Sequence, residues 1–519
     1  MSEYVIEFKN FKGIGFEIEN IYYIYDSYSN QILRSEKIML DIIDDSFVLE
    51  EEQIVNKYKE KYSEKIIRNC LSSIKMAQDS ADILKNFNIP GLALSKKLST
   101  RVKVEKKLSN ELMHLMFNVT EDCNFRCDYC VYSGCYNNRR SHTKYNIISW
   151  DVGKRAIDFF LKHSRNVKKR YISFYGGEPL LNFNFIELAI NYTKALDPEV
   201  RFSITTNGSL LNETILDYLA QQNLTLQISL DGPNQIHDMY RKNVSNHKTY
   251  EIVMEKLELI KQKYPEFYWN NLSINAVLVP HTFGLDVINN FFSDKNRFPF
   301  LKGGQNFFIG TINPMDNTFV KDYNYSQFLW RFRRRMAELY EQYHKKSLDY
   351  NEIDAPFALF HKYIKFLANR SNKRLSDFDF YWPTGICIPG MRSVFVAWNG
   401  NMYPCEKLYD YEDMCIGHIN KGFFIDQIID YIEEYAELTL PYCRDCWSYR
   451  LCGYCFLNAR FNNSFDMKSR LEYCVALRKT MLEHLKMYIT INEKNNKAFE
   501  YLKEEGDGKA FFVDQMLDD

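Results

Sequence analysis

Between residues 136 and 386 this 519-residue chain has no cysteine, and its first hundred residues hold one, Cys70. The other cysteines crowd into 123–135 and 387–474. That distribution implies two metal-bearing or redox regions built onto a larger scaffold, since clustered cysteines in a reducing compartment serve as ligands more often than as disulfides. Charge of one sign is also lacking. The formal net charge of -1 excludes a general polyanion binder, because such a protein needs a basic surplus, so no nucleic-acid partner is expected. The local "FRRRM" at 332–336 reads as a solvated helix face. No uninterrupted run of about 18 apolar residues exists, so no membrane span is predicted. The start, "MSEYVIEFKNFKG", carries charges where a signal peptide needs an apolar stretch, and a cytoplasmic location is expected. There is no internal repeat and no low-complexity tract.

What is present is ordinary for a protein with a real core: 46% hydrophobic and 26% charged residues. Residues 1–95 read as a small winged-helix-like module, strands followed by helices. Here "IYYIYDSYSN" is an alternating strand and turn, and Ser63 caps a helix with Ile67, Leu71 and Ile74 on one face. "SKKLSTRVKVEKKLSNE" is polar and reads as a linker over 96–111. Residues 316–384 form a helical, aromatic bridge, 385–480 hold the second cysteine region, and 481–519 read as a helix with an acidic tail.

From 112 to 315 short apolar runs alternate with helical stretches. The predicted strands are "LMHLMFNV", "YISFY", "RFSITT", "TLQISL", "LSINAVLV" and "NFFIGTI". Ser149 caps a helix with Val152, Ala156, Phe159 and Phe160, and Val253, Leu257 and Ile260 repeat the spacing further on. Six alternations imply an α/β fold with a parallel sheet and right-handed crossovers. The unusual residues follow the strands, in "TEDCNFRCDYC", "GGEP", "TNG" and "DGPNQIHDMYR". Loops at the carboxyl ends of parallel strands build the active site, so these motifs converge on one mouth.

Cys123, Cys127 and Cys130 follow C-x3-C-x2-C, with Tyr129 before the last. Structural zinc sites take four ligands, whereas three thiolates hold three irons of a cubane and leave the fourth iron for a substrate. With "GGEP", "TTNGSLL", "SLDG" and "DMYRK" following in order, the sequence resembles the radical S-adenosyl-L-methionine (SAM) superfamily. The resemblance implies a partial (β/α)6 TIM-like barrel. It implies SAM chelated by the free iron, and reductive cleavage to methionine and a 5′-deoxyadenosyl radical. It places Gly176, Gly177 and Glu178 at the SAM amine, and Thr206, Asn207 and Ser229 at the ribose and sulfonium. Arg241 falls at the carboxylate and Tyr129 at the adenine. Cys135 and Cys70 read as ordinary cysteines.

The later order Cys387, Cys405, Cys443, Cys446, Cys452, Cys455, Cys474 resembles the SPASM extension, which carries auxiliary clusters in radical SAM enzymes acting on peptides. It departs at Cys452–Cys455, which has two intervening residues where the common pattern has three. By this resemblance Cys443, Cys446, Cys452 and Cys474 hold one cluster. Cys387, Cys405 and Cys455 hold another, whose fourth ligand is Cys415 or a substrate cysteine. With the barrel cluster that makes three 4Fe–4S clusters. Taken alone, the C-x2-C pairs also suit zinc.

The first module resembles the PqqD-like recognition element of peptide-modifying enzymes, which binds a leader by strand addition. Element, barrel and SPASM region together resemble the maturases that form sulfur-to-carbon thioethers in sactipeptides and ranthipeptides. The implied partners are a leader-bearing precursor peptide and an electron donor such as flavodoxin or ferredoxin. The implied reaction is hydrogen abstraction from a substrate carbon, then bonding of a cysteine sulfur to it. Alternatives are a carbon–carbon crosslinking maturase, or a sulfatase-type formylglycine maturase, which carries Asp where this chain has Glu406. A non-enzymatic alternative is a zinc-bearing peptide adaptor. The sequence singles out no catalytic acid or base; Glu406 reads equally as a base or a surface carboxylate.

Overall fold

Strand β1 (Val5–Glu7), β2 (Gly13–Ile18), β3 (Ile21–Asp26) and β4 (Gln31–Ser35) pair antiparallel in that order. They open a computed structural model that describes residues 4–86, 98–134, 140–222, 224–280, 283–284, 286–301, 306–311, 325–345, 358–370, 374, 388–452, 455, 459–461 and 464–500. The alternation in "IYYIYD" decides which side chain faces where. Ile24 joins a core with Leu40, Ile54, Ile67 and Ile74 from the module's own helices. Tyr23 and Tyr25 turn to the opposite face and join the core of the rest of the chain. With side chains pointing alternately to the two faces of a strand, one sheet can serve two cores. Ser63 sits at the helix start with extended backbone, but its side chain makes no capping bond; its carbonyl accepts from the Ile66 and Ile67 N–H groups instead.

The stretch expected as a linker is a helix, Leu98–Asn110. Its Val104 and Leu108, four residues apart, are buried against the barrel core, while Arg101 pairs with Glu105 and Asp426 on the outer side. Two apolar residues at helical spacing were enough to dock a segment whose composition is polar.

All the expected barrel strands form: β5 (His114–Thr120), β6 (Tyr171–Gly176), β7 (Arg201–Thr206), β8 (Thr225–Ser229), β9 (Leu272–Leu278) and β10 (Phe307–Thr311). They are parallel in the order β10-β9-β8-β7-β6-β5. Ser149 caps the helix Trp150–His163 by accepting from the Val152 N–H, and Ala156 and Phe160 are buried. Val253, Leu257 and Ile260 are buried on the helix Tyr250–Lys263. In "FRRRM" Phe332 is buried, Arg333 and Arg334 are exposed, and Arg335 pairs with Asp286.

The sheet continues past β5. Strand β11 (Ser393–Val396) lies parallel to β5, and β12 (Asn401–Tyr403), β13 (Gly417–His418) and β14 (Gly422–Phe423) add antiparallel beyond it. The second cysteine region is thus attached to the barrel edge by backbone hydrogen bonds. Its expected boundary at 480 falls inside a single helix, Met467–Lys494. The expected acidic tail lies outside the described residues.

Candidate active site

The cysteine loop leaves the end of β5 and is fastened to the segment after Tyr240. The Arg126 N–H donates to the Lys242 carbonyl at 2.7 Å and the Asp128 N–H to the Tyr240 carbonyl at 2.9 Å. Within the loop the Cys130 N–H donates to the Cys127 carbonyl, and the Phe125 and Tyr132 N–H groups point at the sulfurs of Cys123 and Cys130. The three thiols stand close enough to oppose one another's ionisation. Burial pushes all three upward, Cys127 to about 12, with Arg241 pulling it back. Such thiols stay protonated at neutral pH unless a bound cation compensates their charge.

Two glycines bring backbone against this loop. At Gly176, with φ +135°, a Cβ would stand 2.4 Å from the Thr120 carbonyl oxygen. At Gly177 it would stand 2.1 Å from the Asp122 carbonyl oxygen. The Gly177 N–H donates to Thr120 and the Glu178 N–H to Asp122, so "GGEP" locks onto the start of the cysteine loop.

Glu178 is buried and its carboxylate is well used. It accepts from the Leu180 N–H at 3.0 Å, the Thr206 hydroxyl at 2.7 Å and the Asn207 N–H at 2.8 Å. Burial raises its pKa and these donors lower it. Asn207 in turn donates to the Asn124 side chain at 2.9 Å and lies 3.8 Å from the Cys123 sulfur. One carboxylate thereby ties the loops after β6 and β7 to the thiols. Ser229 ends β8 and is buried beside them.

Arg241 and Tyr129 meet each other. Arg241 Nη1 donates to the Tyr129 hydroxyl at 2.6 Å, and that hydroxyl donates to Asp231 Oδ2 at 2.5 Å. Asp231 also faces Arg241 at 3.5 Å and accepts from the Val277 N–H at 2.9 Å. Burial raises the Asp231 pKa and Arg241 opposes that. Asp231 was not singled out from sequence, although it stands inside the quoted "SLDG". The buried Nε of Arg241 has no hydrogen-bond partner, so a donor remains for a bound anion.

The second region assembles differently. Cys443 ends the helix Ile425–Cys443, and the buried Arg470 donates to its sulfur at 3.5 Å. Cys443, Cys446 and Cys474 oppose one another's ionisation, and Cys452 and Cys455 face Tyr473. Cys405 follows β12 and is half-buried; Cys415 donates to the Gly417 carbonyl at 3.3 Å within its own turn. Cys387 and Cys135 lie outside the described residues. Among the described residues no three His, Cys, Asp or Glu side chains close on a single metal ion. Thiolates of an iron–sulfur cluster need not meet at one point as zinc ligands do.

The residues fit the groups expected of them at the barrel mouth: a three-thiol loop, backbone packed too closely for any Cβ, and an open buried guanidinium donor.

The radical SAM superfamily profile matches residues 117–283, from β5 to just past β9. A cysteine-type anaerobic sulfatase-maturating enzyme of Clostridium novyi is 26% identical over 356 residues, 66% of this chain and 86% of that protein. The radical SAM cyclopropyl synthase TigE of Paramaledivibacter caminithermalis is 28% identical over 231 residues, 43% of this chain and 45% of that protein. The solved structure of native anSMEcpe with bound AdoMet aligns at a TM-score of 0.55 and 19% identity, covering 75% of this chain and 99% of that one, which shows a shared fold. No helix among the described residues is long and apolar enough to cross a membrane. Residues 117–283 are a radical SAM domain, and the chain is an enzyme similar over two thirds of its length to an anaerobic sulfatase-maturating enzyme.

Proposed function

We propose that this enzyme modifies a ribosomally made, leader-bearing peptide by joining a cysteine sulfur to a substrate carbon. Bound at the barrel mouth, SAM and the cluster of Cys123, Cys127 and Cys130 would supply a 5′-deoxyadenosyl radical that removes a hydrogen atom from the substrate. The chain's own residues prepare that mouth. Gly176 and Gly177 keep it narrow, Glu178 fixes the loops after β6 and β7, and Arg241 offers its open Nε to a carboxylate. The observation that carries the peptide reading is the second thiol set. Cys443, Cys446 and Cys474 are drawn together around Arg470, directly against the N-terminal sheet. Held there with Cys452, a second cluster would accept the electron left when a C–S bond replaces a C–H and an S–H. Cys405, Cys455 and Cys387 would serve a third cluster, with Cys415 or a substrate thiol completing it. The four-stranded N-terminal sheet offers β1 and β4 as edges to a leader strand. A flavodoxin or ferredoxin in the cytoplasm would supply electrons.

A second reading, cysteine or serine oxidation to formylglycine, is favoured by the sulfatase-maturating relative that this chain covers to 86% of its length. Native anSMEcpe, which shares the fold, has been solved with AdoMet and the Cp18Cys peptide bound. The deciding experiment incubates the reconstituted enzyme, SAM and dithionite with two peptides: a cysteine-rich one carrying a leader, and a sulfatase-motif one. Loss of one hydrogen pair with sulfur retained in the first supports thioether formation. Conversion of the cysteine CH2–SH to an aldehyde in the second, with sulfur exchanged for oxygen and two hydrogens lost, supports the other reading and removes ours.

A further inference from the structure

Arg140 lies where the two cysteine-bearing loops of the barrel edge meet. Its side chain is 9% exposed and that of Asp410 is 1% exposed, with Nε and Oδ1 at 2.7 Å. Nη2 donates to Asp410 Oδ2 and to the Glu406 carbonyl, each at 3.2 Å, and Nη1 donates to the Tyr132 hydroxyl at 3.2 Å. The guanidinium is packed against two rings, 4.6 Å from the Tyr132 centroid and 4.7 Å from that of Tyr409.

Each of these partners leads to a ligand. Tyr132 follows Cys130 by two residues and its N–H points at the Cys130 sulfur at 3.5 Å. Glu406 directly follows Cys405. The Tyr409 hydroxyl donates to Glu121 at 2.5 Å, two residues before Cys123.

Burying a cation costs several kcal/mol unless every face is satisfied. Here a carboxylate, a carbonyl, a hydroxyl and two ring faces satisfy it at once. Only a planar fork reaches all of them; a lysine ammonium would keep the charge but lose the span.

The geometry points to Arg140 as a positioning residue that clamps the Cys405–Asp410 loop onto the Cys130 loop and sets a fixed positive charge beside the iron–sulfur site. This rests on Cys123, Cys127 and Cys130 holding that cluster. The charge favours the reduced cluster, and the clamp fixes the backbone at Glu406, the residue after Cys405.

The test uses wild type, Arg140→Lys and Arg140→Met. In the apo full-length chain, alkylation of Cys405 by iodoacetamide, read by peptide mass, reports the clamp. Both variants are expected to react faster, by about ten-fold for a loop loosened by about 1.4 kcal/mol. In the reconstituted chain, iron and sulfide are counted, and an EPR-monitored redox titration follows the signal that added SAM perturbs. Arg140→Met is expected to move that potential to more negative values, while Arg140→Lys stays near wild type. Unchanged alkylation in both variants overturns the clamp. Equal shifts in Lys and Met, or none, with iron retained overturn the charge role. A wild-type chain that takes up no iron defeats the cluster reading instead, and the apo alkylation still decides the clamp.

Discussion

Cys123, Cys127 and Cys130 ride on one loop, whereas Cys405, Cys443, Cys446, Cys452, Cys455 and Cys474 come from the loop after β12, the end of the helix Ile425–Cys443, the body of the helix Met467–Lys494 and the segment between those helices. The first set is contiguous in sequence, and the barrel braces it by hydrogen bonds to the segment after Tyr240 and by two glycines against its start. The second exists only if distant elements dock. Arg470 must reach Cys443 across 27 residues, and the N-terminal sheet must close one side. There Tyr25 packs edge-on to Trp447 with centroids 6.2 Å apart and lies within charge range of Cys446. Arg450 donates to the Tyr28 carbonyl at 3.2 Å, and Lys12 pairs with Asp445 at 3.7 Å. The N-terminal module therefore forms one wall of the second cysteine region. A local site is robust to remote change and an assembled one is not.

Breaking the local site gives the largest effect. Cys127→Ala should bring 5′-deoxyadenosine formation, followed by chromatography, to background, while the fold by circular dichroism is retained. Turnover surviving in this variant would remove the loop from the chemistry. Breaking the assembled site from a distance comes next. Tyr25→Ala should destabilise the chain by about 3–5 kcal/mol through the emptied volume and shed iron, with SAM cleavage per remaining chain within about two-fold of wild type by transition-state arithmetic. Equal loss of both signals would mean the regions are not separable.

Two smaller changes sharpen the local side. Gly177→Ala pushes a methyl into the Asp122 carbonyl, an overpacking cost of about 1–3 kcal/mol, and should weaken SAM binding in a titration without altering the second region's metal. Asp231→Asn leaves Tyr129 and Arg241 without their carboxylate and should weaken SAM about ten-fold, about 1.4 kcal/mol; an unchanged affinity would show that Asp231 only braces β9.

An effect on stability alone, visible only as a pH dependence, lies at the opposite end of the barrel. His114 shares hydrogen bonds with Ser173, and Ser173 with Ser203, each at 2.6 Å across three strands. Burial, aided by Arg392, depresses His114 to about 4. The unfolded chain then binds the proton more readily than the folded one. This contribution to stability is full above about pH 6.5 and is lost as pH falls toward 4. Denaturant midpoints of His114→Gln should fall less steeply than those of wild type across that window.

The barrel strands were legible because each is a short apolar run closed by a special loop, and the cysteine loop because the two spacings of its three cysteines fix its chemistry. Asp231 was passed over because an acid before Gly-Pro reads as a turn; only the fold sets it between Tyr129 and Arg241. Arg140 stands in a polar stretch with nothing local to mark it, and Asp410 and the Glu406 carbonyl, which its Nη2 binds, are 270 and 266 residues away. The Leu98–Asn110 helix was missed because composition outweighed two well-spaced apolar residues.

By itself the sequence determined what is carried by near neighbours: the alternation of strand and helix, the three-thiol loop, and the two-faced pattern of "IYYIYD". Tertiary structure alone decided that β11 joins β5, that Tyr25 stands beside Cys446, and that one arginine bridges two cysteine loops. The reason is physical. Periodicity and spacing act over a few residues, whereas a buried ion pair or a shared core depends on desolvation that arises only when distant surfaces meet.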